Sequence, residues 1–104
     1  MDIIFEVIDR YGRKIYLSRK HWQHILKHPH MHDQIDNIQL TLQNPTTIRY
    51  FEDDDKVRHF YKEFKNRDSL ERFLLVSVKY LNDNGFIITS FFTNKITGSK
   101  WEIK

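Results

Sequence analysis

Arg72-Phe73-Leu74-Leu75-Val76-Ser77-Val78-Lys79-Tyr80-Leu81, then Asn82-Asp83-Asn84-Gly85, then Phe86-Ile87-Ile88-Thr89-Ser90-Phe91-Phe92-Thr93, is the stretch on which the fold turns. Its first part, rich in β-branched and aromatic side chains, is the strongest strand signal in the chain. Asn-Asp-Asn-Gly predicts a hairpin turn, since Asn and Gly accept positive φ. Phe86–Thr93 predicts the returning strand. Successive strand side chains point to opposite faces. Leu74, Val76, Val78 and Tyr80 therefore share one face, expected to lie against a helical layer. Phe73, Leu75, Ser77 and Lys79 share the other, a mixed face half open to solvent and a natural place for a ligand groove.

Upstream, Val57–Phe64 and Ile48–Phe51 predict two more strands, separated by the acidic turn Glu52-Asp53-Asp54-Asp55. Asn66-Arg67-Asp68-Ser69 is the next turn. Before Asn44-Pro45 the apolar period becomes helical: Ile35, Ile38 and Leu42, with Leu40 at the edge, predict a helix over residues 32–43. An earlier helix starts from Ser18 as N-cap, carries Trp22, Ile25 and Leu26 on one face, and ends at His28-Pro29, because a residue before proline avoids the α region. Residues 2–8 and Lys14–Leu17 form a hairpin around Gly12, and the tail adds a short edge strand around Trp101–Ile103. The expected fold class is α+β. Two helices in the N-terminal half pack on a four-stranded antiparallel β-meander, preceded by a short β-hairpin, in a single domain over 1–104.

At 104 residues there is no room for a second domain. The absence of cysteine excludes disulfides, thiolate metal sites and thiol nucleophiles, and makes the cytoplasm the expected compartment. No apolar run approaches the ~20 residues that span a bilayer, so no membrane partner is expected. The start, Met1-Asp2-Ile3-Ile4-Phe5-Glu6, does not resemble a signal peptide. Gly12, Gly85 and Gly98 are isolated, so there is no glycine-rich phosphate cradle. A net charge of +3 permits a nucleic-acid partner without requiring one.

The histidines are more telling. Of six, five fall between His21 and His32. On a helix His24 and His28 are i, i+4 neighbours, with His21 on nearly the same side. Three readings compete. The plainest is a set of surface or boundary histidines, of the kind that bonds a backbone carbonyl, with His30 and His32 as solvated residues of the interhelix loop. The second is a zinc site, but the residue after His24 is Ile25 where a zincin helix has Glu. The third is acid–base chemistry, since an imidazole both takes and gives a proton near neutrality. One imidazole removes the proton of a ribose 2′-OH, a cation neutralises the phosphorane, and a second acid protonates the leaving 5′-oxygen; no metal or cofactor is needed.

The meander supplies partners for such a site. Arg58, Phe60, Lys62 and Phe64 share one face of their strand, and His59, Tyr61 and Glu63 the other. Arg58 would clamp phosphate through its planar fork, and Tyr61 or His59 would donate a proton or stack on a base. Thr89 brings a hydroxyl to the last strand. The catalytic candidates are thus His24, His28, Arg58, Tyr61 and Thr89; the substrate-binding candidates are His21, His59, Lys62, Lys79 and Lys95. For Thr89 and the lysines the plain alternative is an ordinary strand residue or a solvated charge.

Trp22-Gln23-His24-Ile25-Leu26-Lys27-His28-Pro29, an amphipathic helix ending in Leu42-Gln43-Asn44-Pro45, and Ile48-Arg49-Tyr50 together resemble the small phage-associated nuclease-like domains of the Barnase–EndoU–colicin–RelE superfamily. Leu74–Lys79 and Phe86–Phe91 fill the places of that family's last two strands, and the resemblance covers about residues 14–97. Where the family commonly has an acidic residue after His-Pro, this chain has His30. The resemblance implies a metal-independent endoribonuclease, an RNA substrate, active groups at His24, His28, Arg58 or Tyr61, and Thr89, and a toxin role with a cognate antitoxin protein. Two other classes stay open: a non-catalytic RNA- or protein-binding module, and a metal-binding protein using the histidine cluster.

Overall fold

The computed structural model describes residues 2–98 and 100–103, the last four as backbone only. The chain runs β1 (Ile3–Ile8), β2 (Lys14–Ser18), α1 (Arg19–Ile25), α2 (Ile35–Gln43), β3 (Thr47–Phe51), β4 (Asp54–Glu63), a 3₁₀ turn (Ser69–Glu71), β5 (Phe73–Tyr80), β6 (Asn84–Thr93) and β7 (Lys100–Ile103). This is an α+β fold with two helices and a mostly antiparallel sheet.

The meander β3-β4-β5-β6 is present, but it is not a separate four-stranded sheet. All the strands join one sheet in the order β1-β2-β6-β5-β4-β3-β7. Strand β2 pairs parallel with the start of β6, Lys14 opposite Asn84 and Tyr16 opposite Phe86, and so carries the hairpin into the sheet. Strand β7 pairs with β3 at the other edge. A meander alone would expose two edges of unpaired backbone groups, and the hairpin and tail cover both. This pairing is non-local, and the period of a segment carries no sign of it.

The central strand divides as its alternation predicts. Leu74, Val76, Val78 and Tyr80 are buried with Phe60, Ile87, Ile15 and Leu17, beneath Ile38 and Leu42 of α2. Each such aliphatic side chain contributes about 1.5–3 kcal/mol by leaving water. Tyr80 also donates its hydroxyl to Asp9, whose other carboxylate oxygen accepts from the Tyr11 and Arg13 backbone N–H groups at 2.9 Å. Burial, then Asp9, pushes the phenol far above its usual range, so it stays a donor. The first hairpin is thereby tied to the core strand.

Strand β4 begins at Asp54, inside the expected acidic turn, because Asp54 pairs with Phe51 across a tighter hairpin, and three further boundaries differ from the periodicity. Helix α1 stops at Ile25 rather than at His28-Pro29. Its last turn tightens, the Lys27 N–H donating to the His24 carbonyl and the His28 N–H to that of Ile25, a three-residue spacing. Helix α2 begins at Ile35 rather than at residue 32, because Met31 and Gln34 are buried and anchor the preceding turn. Gly85 lies within β6 rather than in the hairpin turn. Its role there is close packing: a Cβ at this position would come within 2.8 Å of the Lys79 carbonyl oxygen. Positive φ occurs among the described residues at Gly12, Gly98 and His30.

Candidate functional site

Register assigns the candidates to faces. His59 pairs with Ser77, and Ser77 with Thr89; Tyr61 pairs with Leu75, and Leu75 with Phe91; Lys79 pairs with Phe86. These residues share the face opposite α2. Arg58 pairs with Val78 and Lys62 with Leu74, which places both on the helical side of the sheet. The guanidinium of Arg58 lies 4.0 Å over the Tyr50 ring. The ammonium of Lys62 donates to the Asn44 carbonyl at 2.9 Å. Arg58 and Lys62 are therefore separated from Tyr61, His59 and Thr89 by the thickness of the sheet.

Helix α1 follows directly from β2, which pairs with β6 only as far as Phe86, and packs on β6. One side of the helix buries Ile25, with Trp22 packed against the core. His21 on the helix and His28 in the turn after it reach the face opposite α2. The His21 ring lies 5.6 Å from that of Phe86, and the His28 ring 4.9 Å from that of Phe91. His24 and His28 meet edge to face at 5.8 Å. The i, i+4 adjacency survives although His28 lies in the tightened turn and not on the helix.

Ser18 caps α1 by accepting from the His21 backbone N–H at 3.2 Å, and its hydroxyl meets His21 Nδ1 at 2.9 Å. Burial, then Lys20 and His24, lowers the His21 pKa. Burial, then His24, lowers that of His28. Both favour the neutral imidazole at pH 7.

The middle of this face is polar. His59 Nδ1 meets the Ser77 hydroxyl at 2.8 Å, and the His59 ring stands edge-on to Phe51 at 5.7 Å. Burial lowers the His59 pKa against an opposing pull from Asp54. Thr89 Oγ1 is shielded from solvent and has no hydrogen-bond partner. His59 and Thr89 are two strands apart, about 10 Å at ordinary strand spacing. Tyr61 is only 1% exposed. Its hydroxyl is engaged by the backbone N–H and the hydroxyl of Thr97, both at 3.2 Å, so the segment after β6 folds back over that end of the face. Lys95 lies exposed in the same segment.

The other end of the face is open. A cleft of about 510 Å³ lies there, with Tyr16 and Phe86 among its walls and Arg19, Lys20, His21 and Gln23 from α1. Of these, sequence reasoning had named only His21. Tyr16 and Phe86 alternate with the buried Ile15, Leu17 and Ile87, which marks them as outward-facing; the parallel pairing that brings them together has no local signature.

His30 is more than a solvated loop residue. At φ 64 it bonds the Glu71 carboxylate, which also takes Arg67 at 2.7 Å, and so ties the interhelix loop to the 3₁₀ turn. Among the described residues no three His, Asp or Glu side chains gather as a metal site, and no helix is long and apolar enough to cross a membrane. Of the five catalytic candidates, His24 and His28 are in contact, Thr89 and Tyr61 share their face, and Arg58 is on the opposite one. No family model matches the chain, and neither a curated protein nor a solved structure does.

Proposed function

We propose that the chain is a metal-independent endoribonuclease acting on single-stranded RNA laid along β6 and α1. The observation that carries this reading is the edge-to-face pair His24–His28 over Phe91, on the sheet face that α2 leaves uncovered. His28, with its pKa lowered, is the base that removes the 2′-OH proton. The 2′-oxygen attacks phosphorus and the bond to the 5′-oxygen breaks. His24, exposed beside it, returns a proton to that oxygen, leaving a 2′,3′-cyclic phosphate and a 5′-OH. Phe91 offers a ring for base stacking, and Lys27, in the turn between the two histidines, is the nearest cation in sequence. A toxin role with an antitoxin partner belongs to the same reading through the family resemblance alone.

A second reading, an RNA-binding module without cleavage, is favoured by the position of Arg58 across the sheet, which leaves the histidine pair without its phosphate clamp. Incubation of RNA with the protein in EDTA separates the two. Cleavage is expected, falling by about 10²–10⁴-fold in His24→Ala and in His28→Ala. Binding that weakens steeply with salt and yields no product would establish the binding module instead. Cleavage that survives both substitutions would remove the histidines from the chemistry.

A further inference from the structure

The open cleft where β2, β6 and α1 meet carries a more specific message than a generally basic surface. Three rings border it. Tyr16 and Phe86 lie 6.0 Å apart and tilted by 32°; His21 and Phe86 lie 5.6 Å apart and tilted by 37°. All three are half-buried, so each is held by the fold and still presents ring surface to solvent. His21 is held further by Ser18 at its Nδ1.

Cations flank the rings from two directions. Lys20 stands beside His21, close enough to depress its pKa. Lys79 is the cross-strand neighbour of Phe86 and is exposed; directly opposed Cβ atoms lie about 4.5–5.5 Å apart. Arg19 is partly neutralised by Asp2 at 3.4 Å. Glu6 is the cross-strand neighbour of Tyr16 on β1.

Rings flanked by cations match a molecule with a π face and an anionic end. An apolar peptide would leave the lysines without a partner, and an acidic peptide would leave the rings unused. The volume lies within the ~300–1,000 Å³ typical of small-ligand sites. We infer that this cleft is a nucleotide subsite. The base stacks among Tyr16, Phe86 and His21, and the phosphate lies toward Lys20 and Lys79.

The inference rests on the RNA reading for the source of its ligand and adds to it a place where base identity is read. Along α1, His24 is about 5 Å beyond His21 at helical rise. A base held at Phe86 therefore positions the neighbouring phosphate toward the His24–His28 pair.

The test is titration of the full chain with AMP, GMP, CMP and UMP, followed by NMR. Adenosine, inorganic phosphate and an acidic peptide serve as controls. At millimolar nucleotide the signals of Tyr16, Phe86 and His21 are expected to shift. Phe86→Leu is expected to weaken binding at least about fivefold through the loss of stacking, and Lys20→Gln about threefold. Tyr16→Leu provides a second ring deletion should Phe86→Leu fail to fold. An absence of shifts at these three residues, equal shifts with inorganic phosphate or the peptide, or affinity unchanged in both ring variants would overturn the inference. Mononucleotide binding without RNA cleavage would sink the nuclease and keep the cleft; cleavage without mononucleotide binding would do the reverse.

Discussion

At the scale of single residues, the His24–His28 contact is the most consequential. Two imidazoles this close cannot both be protonated freely, and proximity to His24 is the second cause, after burial, of the lowered His28 pKa. Removing the neighbour should relax that constraint. In His24→Gln the His28 pKa is expected to rise toward the ordinary value near 6.5, as read from its ring-proton shifts across a pH titration. An unchanged His28 value would mean that burial alone sets it. The adjacency was legible from sequence, because a spacing of four survives both an α-turn and the tighter turn found there. The position of Arg58 was not foreseen in relation to the histidines. Alternation correctly separated Arg58 from Tyr61, but it gives no indication which side of the sheet α1 will address.

At the scale of elements, α1 is short, and seven residues do not hold a helix in isolation. It depends on Ile25 in the core, on β6 beneath it, and on Ser18 at its start. Ser18→Ala is expected to cost about 1 kcal/mol through the lost cap, measured as a shift in the urea midpoint. Because the same hydroxyl holds His21, the variant should also loosen that ring; broadening of the His21 signals ahead of any change at His59 would show it. Ser18 as N-cap was legible, since Ser before an apolar helical stripe is a local signal. The helix end was not, because Pro29 marks only where a helix must already have stopped. The opening hairpin was legible as a hairpin and not as part of the main sheet: no feature of Lys14–Tyr16 points to residues seventy positions later.

At the scale of the whole molecule, the histidine shifts act in one direction. His21, His28 and His59 all have lowered pKa values in the folded chain. Below about pH 6.5 the unfolded chain takes up protons that the folded chain resists, so the unfolded state binds more protons and stability drops as the pH is lowered. The loss runs from about 6.5 down to the lowered values and is absent above that window. Glu71, lowered chiefly by its bond with His30, adds a loss of the same sign in the carboxylate range. Urea midpoints are therefore expected to hold steady from neutral pH upward and to fall on acidification, with a shallower fall in His59→Gln. A flat profile through this range would contradict the assigned shifts.

The parallel pair of β2 with β6 also sets an order of events. The chain must be made past Phe86 before Lys14–Tyr16 find Asn84–Phe86, and pairings of such separation form late in folding. A nascent chain halted before β6 already holds all six histidines, yet it has no strand beneath α1, no Phe91 against His28 and no wall opposite Tyr16. The cleft and the contact between His28 and Phe91 therefore come into being only after β6 has been made.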